Sequence, residues 1–181
     1  MKLLIASDIH GDLSMAEHLI EVFECEGCER LVLLGDVLYH GPRNDLPAGY
    51  NPKGVIELLN RYSASILAVR GNCDTEVDQM VLTFPILADY AFISVDGLRI
   101  FATHGHKFNT ESRPPLAKGD ILLHGHTHLL CYEPFGDENV YINPGSISIP
   151  KGGNPKSYII YENRKFTTYD TLGNEISSME F

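Results

Sequence analysis

The sequence predicts an α/β fold in which two mixed sheets pack together with helices on the outside. Three observations carry this. Short apolar runs alternate with helix-patterned segments over residues 2–82, the sign of strands joined by helical crossovers. Beyond residue 90 the apolar runs lie close together and are separated by turn residues, the sign of antiparallel pairing. Of the 181 residues, 44% are apolar, with no repeat, low-complexity segment or linker, so one domain over 1–181 with a sizeable core is expected.

Residues 2–7 (KLLIAS) form a buried, β-compatible run. Ser14 is assigned as the N-cap of the first helix, with Glu17 three residues on completing a capping box. Met15, Leu19, Val22 and Phe23 keep helical spacing, and Gly27 supplies a C-terminal stop. Residues 31–34 (LVLL) form a second buried strand. The stretch YHGPRNDLPAGYNP (39–52) is a loop of a length that often carries function. A helix near 53–62, a strand at 65–70 and a short helix around 75–82 follow. Further strands are predicted near 91–95, 98–103, 121–124, 139–142, 157–162 and 165–170, with Gly97 in a hairpin turn.

The formal net charge of −10 argues against sequence-independent nucleic-acid binding, which needs a basic surface. A small phosphorylated substrate stays open, because a metal site can supply local positive charge. No apolar run approaches the ~20 residues of a membrane helix, so no membrane partner is expected. The N-terminus MKLLIASDIHGD is apolar for only a few residues, so no signal peptide is expected. The four cysteines, Cys25, Cys28, Cys73 and Cys131, do not read as a disulfide framework in a chain of this size. Cys25 and Cys28 look like half a zinc site, but no second half has matching spacing. A cytoplasmic location is expected.

The stretch LLHGHTHLL (122–130) crowds His124, His126 and His128 into five residues. Alone, it reads equally well as a polar loop after a buried strand. The other strand ends break the tie. Each apolar strand stops at a short polar signature: Asp8-Ile9-His10-Gly11, Gly35-Asp36, Gly71-Asn72-Cys73-Asp74, His104-Gly105-His106, the histidine cluster, and Asn143-Pro144-Gly145-Ser146. Ligands of open α/β sheets collect outside the carboxyl ends of strands, so these signatures can converge on one site. Asp8 and His10 are two apart and would point to one side of an extended chain. Carboxylates, an amide oxygen and imidazoles form an N/O donor set suited to Mn²⁺, Fe, Zn²⁺ or Mg²⁺, with no thiolate required. Neighbouring glycines let the backbone turn sharply. Asp36 is the natural bridging ligand, and two divalent ions less the charges of Asp8 and Asp36 leave a formal surplus that would bind a phosphate ester and deprotonate water.

These motifs, Asp8-x-His10, Gly35-Asp36, Gly71-Asn72-x-Asp74, His104 and Gly125-His126-x-His128, resemble the calcineurin-like metallophosphoesterase family. GDVLYHGPRN, RGNCD, HGHTH and NPGSISIPKGGNP look like its YfcE-type subgroup of small bacterial phosphodiesterases. The resemblance implies a four-layer α/β/β/α sandwich and a binuclear centre. One ion would be held by Asp8, His10, Asp36 and His128, the other by Asp36, Asn72, His104 and His126. Mn²⁺ is the expected metal, with Fe, Zn²⁺, Ni²⁺ or Mg²⁺ as alternatives. Hydroxide between the ions would attack phosphorus in line.

Around that centre, Asp74 would orient a neighbour, and His106 would contact the phosphate or be a satisfied polar neighbour. His124 would support the site. His40 and Arg43 in the long loop, together with Asn72, are candidates for substrate contact, arginine being suited to bidentate phosphate recognition. Asn143 reads as a turn that buttresses the site. Many family members carry a histidine where this chain has Cys73, and that histidine protonates the leaving oxygen. A thiol with a reference pKa of about 8.5 is a poor replacement acid, which favours good leaving groups.

A metal-dependent phosphodiesterase acting on a small diester is therefore the leading expectation. A phosphomonoesterase using the same site is the second. A non-catalytic scaffold of the same fold, as in a retromer subunit, is a third, and a regulatory nucleotide-binding module without turnover is a fourth. Homo-oligomers are common in such families, and one is expected here.

Overall fold

The computed structural model describes residues 1–136 and 138–181. Its strands are β1 (Leu3–Ala6), β2 (Arg30–Leu33), β3 (Ile66–Ala68), β4 (Tyr90–Val95), β5 (Leu98–Thr103), β6 (Ile121–Leu123), β7 (Leu130–Phe135), β8 (Asn139–Pro144), β9 (Ser157–Glu162), β10 (Lys165–Asp170) and β11 (Glu175–Glu180). Its helices are α1 (Leu13–Cys25), α2 (Pro52–Asn60) and α3 (Glu76–Val81).

Both sheets are mixed, as the sequence predicts. The first runs β11-β10-β9-β1-β2-β3, with β1, β2 and β3 parallel and β9, β10 and β11 antiparallel to their neighbours. The second runs β4-β5-β6-β8-β7, with β5, β6 and β8 parallel and the two edge strands antiparallel.

Alternation along β1 shows how the layers stack. Leu4 and Ala6 pack with Ala16, Leu19 and Ile20 of α1 and Val55, Leu58 and Leu59 of α2. Leu3 and Ile5 point the other way, into a core shared with Ile100 and Ala102 of β5, Ile121 and Leu123 of β6, and Ile142 of β8. Full burial of such a side chain contributes about 1.5–3 kcal/mol, so a strand apolar on both faces is fixed between the sheets. The outer face of the second sheet, with Phe101, Leu122 and Tyr141, is covered by Phe108 and Leu116 of the long β5–β6 connection. That layer is therefore loop rather than helix among the described residues.

Three local expectations are corrected. The N-cap of α1 is Asp12, not Ser14: Asp12 Oδ1 accepts from Met15 N at 3.3 Å and from the Ser14 hydroxyl at 2.6 Å. Ser14 thus donates to the cap, and the helix begins one residue before it. Gly27 does end this helix, with a positive φ of 63° and the paired bonds Cys28 N to Phe23 O and Gly27 N to Glu24 O of a Schellman motif. Cys28 is buried and Cys25 exposed, both as free thiols. Asp8 and His10 are not extended: both lie in the left-handed region, at φ 59° and 49°. Finally, β7 and β11 are strands the sequence analysis missed. Both are edge strands and half-exposed; β11 is polar, and Pro134 interrupts the pattern of β7.

Candidate metal centre

The parallel strands of both sheets deliver their carboxyl ends to one place. From the first sheet, β1 leads into Asp8 and His10, β2 into Asp36 and β3 into Asn72. From the second, β5 leads into His104 and β6 into His126 and His128. Five of these seven residues, Asp8, His10, Asp36, His126 and His128, have φ between 49° and 67°. Left-handed backbone costs a side-chain-bearing residue roughly 1–2 kcal/mol, so five together need strong external support.

That support is visible. Asp8 N, His10 N and Gly11 N donate to the carbonyls of Gly35, Asp36 and Val37, stitching the β1 and β2 turns together. Asp74 receives Asp36 N at 2.8 Å, Gly71 N at 2.7 Å and Val37 N at 2.9 Å, and its carboxylate faces the backbone of the Asp36 turn. Burial first pushes the Asp74 carboxyl up, and the three amides oppose it. The Ser146 and Ser148 hydroxyls donate to Asp8 O and Ile9 O, tying the β1 turn to the segment after β8. Asn143 donates to Gly125 O and Thr127 Oγ1 beneath the histidine cluster, the buttress expected of it. A methyl group on Gly71 would collide with the Asp36 carboxylate, so the close approach of these two turns requires glycine.

Two groups of donors result. In the first, Asp8 Oδ1 lies 3.4 Å from His10 Nε2 and 3.1 Å from His128 Nε2, and the two nitrogens are 3.4 Å apart. His10 Nδ1 donates to Tyr39 O and His128 Nδ1 to Ile149 O, each at 2.7 Å. Those bonds leave both Nε2 atoms as bare acceptors. Asp8 Oδ1 is buried and has no hydrogen-bond partner, whereas Oδ2 accepts from Ser7 Oγ and His126 N. Three buried acceptors facing one another demand a cation.

In the second group, His104 Nε2 lies 3.1 Å from both Asn72 Oδ1 and His126 Nδ1, while His104 Nδ1 donates to Leu34 O at 2.7 Å. Asp36 joins the two. Its Oδ2 is 3.7 Å from His10 Nε2 and 3.6 Å from His104 Nε2, and its Oδ1 accepts from Cys73 N. The residues therefore fit divalent-ion binding on either side of Asp36: backbone carbonyls fix the rings of His10, His104 and His128, and the free lone pairs converge on both sides of one carboxylate.

Electrostatics agree with this. Burial opposes the charge of Asp8, yet positive charge on the facing imidazoles, a proton standing where a cation would, holds its carboxyl well below the usual range. Burial lowers His10, and the Asp8 carboxylate overrides that and raises it. Burial, and then the neighbouring imidazoles, bring His106 down to about 4. Burial also brings His124 down to about 4, so both rings are neutral at pH 7. Burial and then Asp36 push the Cys73 thiol up, so it keeps its proton.

The remaining candidates separate in space. A cavity of about 720 Å³ is lined by Asp36, Asn72 and His128 of the centre and by Cys73, Arg43 and Lys151. Lys151 was not identified from the sequence, where a lone surface lysine carries no signal; it reaches the site because its amide donates to His128 O. His106 lines a different cavity. His40 lines neither of these: its ring packs edge-on between Tyr39 and Tyr50, at 4.7 and 5.4 Å between ring centroids. His124 is 2% exposed and stacks on Tyr141 at 4.3 Å.

The chain is similar to known phosphoesterases and, in fold alone, to a vacuolar sorting protein. Phosphodiesterase YfcE of Escherichia coli K12 is 53% identical over 163 residues, spanning 90% of this chain and 88% of that protein. The solved YfcE structure superposes with a TM-score of 0.95 at 48% identity, covering 99% of this chain and 98% of the other. Phosphodiesterase MJ0936 of Methanocaldococcus jannaschii is 29% identical over 80% of this chain and 83% of its own. Vacuolar protein sorting 29 of Cryptosporidium parvum shares the fold alone, with a TM-score of 0.64 at 16% identity over 99% and 98% of the two chains. The model of the calcineurin-like phosphoesterase superfamily domain matches residues 1–165, and the chain belongs to that superfamily.

Proposed function

We propose that the protein is a phosphoric diester hydrolase working at a binuclear centre. Asp8, His10, Asp36 and His128 would hold one divalent ion, and Asp36, Asn72, His104 and His126 the other. The observation that carries this reading is the Asp36 carboxylate, whose Oδ2 stands between the lone pairs of His10 and His104 at 3.7 and 3.6 Å. Two relatives named phosphodiesterases support the choice of diester. When bound, such a pair of ions supplies Lewis acidity and lowers the pKa of water towards neutrality. Mn²⁺ is the proposed metal and the cytoplasm the proposed location; among the described residues no helix is long and apolar enough to cross a membrane.

The chain's own residues do the rest. Arg43 and Lys151 bring positive charge to the cavity wall beside the centre and favour an anionic ester there. Asp74 keeps Asp36 aimed between the two donor groups through the backbone amides it accepts. Cys73 holds Asp36 Oδ1 through its amide, and its retained proton makes the thiol a weak acid toward a leaving oxygen.

The test is turnover of bis-p-nitrophenyl phosphate and p-nitrophenyl phosphate by chelator-stripped protein, with Mn²⁺ added stepwise and Asp36→Ala as control. Mn²⁺-dependent cleavage that favours the diester and disappears in the variant is expected. Preference for the monoester would replace the diesterase reading with a phosphomonoesterase. No turnover of either ester with two ions bound would leave a binding scaffold.

A further inference from the structure

The centre opens on a second side. Besides the cavity bearing Arg43 and Lys151, a separate cavity of about 590 Å³ begins at the same two residues, His126 and Thr127, and runs over the second sheet. The two cavities differ in chemistry. The first carries Arg43 and Lys151 on its wall, whereas among the described residues the second carries no lysine or arginine and is lined by Glu111 and Glu133, with Tyr141 as its aromatic wall.

An independent observation marks the second cavity as a binding site. His124 lines it, is 2% exposed, and among the described residues has no partner for its buried Nε2. Its Nδ1 donates to Gly125 O at 3.1 Å, so Nε2 is an acceptor awaiting a donor. Leaving a buried acceptor unmade costs about 1–3 kcal/mol, so an occupant carrying an N–H or O–H is favoured there. Asn109 offers no further acceptor, because its carbonyl oxygen already accepts from Glu111 N and Ser112 N. The charged groups of the wall are the carboxylates of Glu111 and Glu133, and the group that matches both these and the free His124 acceptor is a primary ammonium.

We propose that this second cavity is a subsite for one alcohol arm of the diester, and that the arm it selects bears a primary ammonium group. The other arm lies on the side of Arg43 and Lys151. The substrate class is an asymmetric diester with one amino-alcohol arm. The proposal rests on the diesterase reading above, and it assigns His124 a substrate contact rather than a purely supporting place.

The experiment compares two diesters that share a leaving group, 2-aminoethyl p-nitrophenyl phosphate and its near-isostere propyl p-nitrophenyl phosphate. The longer 4-aminobutyl and pentyl pair is included so that arm length does not decide the result. Bis-p-nitrophenyl phosphate is run on the same Mn²⁺-loaded preparation. In at least one pair the ammonium ester is expected to show about tenfold higher kcat/KM, carried by KM. The Glu111→Gln/Glu133→Gln double variant is expected to lower that ratio about fivefold. His124→Phe, which removes the acceptor, is expected to lower it too. Equal kcat/KM within both pairs, with bis-p-nitrophenyl phosphate still cleaved, would overturn the subsite and leave the diesterase standing. Failure to cleave any of the diesters would overturn both. A preference that survives the double variant and His124→Phe unchanged would also overturn it.

Discussion

The two donor groups on either side of Asp36 are built to different depths. Asp8 and His10 are fully buried and His128 is 3% exposed, with every ring fixed by a backbone carbonyl. On the other side only His104 is comparably enclosed; Asn72 is exposed and His126 half-buried between the two cavities. Charge differs as well. The first group has Asp8 to itself and shares Asp36, whereas the second offers an amide and two imidazoles around the shared carboxylate. A buried carboxylate with an unpartnered oxygen binds a cation more strongly than an exposed amide does. Under the proposed binuclear reading, the first side is expected to hold its ion more tightly and the second to exchange its ion and meet substrate.

Removing the shared residue should collapse the comparison altogether. Asp36→Ala is expected to reduce diester turnover by about a thousandfold or more, since paired ions contribute several kcal/mol to the barrier and each ~1.4 kcal/mol is tenfold. Metal analysis after dialysis should show fewer than two ions per chain. Full occupancy with preserved turnover would mean that Asp36 bridges nothing.

A smaller change should separate the two sides. Calorimetric titration of stripped protein with Mn²⁺ is expected to show a tight step followed by a weaker one. Asn72→Ala should weaken the second step by roughly 10–100-fold, the range seen when metal-site support is lost, and leave the first in place. Two identical, independent steps in the unmodified chain would refute the asymmetry.

Much of this centre was legible because its residues sit in short motifs at strand ends, where burial of the strand and polarity of the next residue form a contrast that one sequence can display. Asp8, His10, Asp36 and the histidine cluster are of this kind. What could not be read depends on through-space partners. The carbonyls of Leu34, Tyr39 and Ile149 that fix the rings carry no side-chain signal at all. Lys151 reaches the cavity only because its amide is held by His128. The left-handed backbone at Asp8 and His10 defeats an argument from extended-chain alternation. The edge strands β7 and β11 lack the two-sided apolar pattern that made β1 and β2 obvious.

Asp74 sharpens the comparison through stability rather than chemistry. Asp74→Asn keeps only one acceptor oxygen, so its amide nitrogen must face either Val37 N or the pair Asp36 N and Gly71 N. A loss of about 1–3 kcal/mol is expected, with Tm falling roughly 2–4 °C per kcal/mol for a chain of this length. Calorimetry of the stripped protein isolates this effect from metal binding. An unchanged Tm would mean that the Asp36 turn holds its left-handed shape without that carboxylate.

Cys73 tests the exposed side with the smallest change. It lines the cavity beside Asn72, where the metallophosphoesterase family more often places a histidine. Burial and Asp36 keep its thiol protonated well above neutrality, so it gives up a proton reluctantly as a leaving group departs. Esters of p-nitrophenol need little such help, because that leaving oxygen is stable as an anion; esters of simple alcohols need it most. Cys73→His is therefore expected to leave bis-p-nitrophenyl phosphate turnover within about threefold and to raise cleavage of alkyl diesters by about 100-fold, the lower end of the general-acid range. The readout is the slope of log kcat against leaving-group pKa, which should become shallower in the variant. A slope that stays put, with both ions retained, would show that the proton reaches the leaving oxygen by a route independent of position 73.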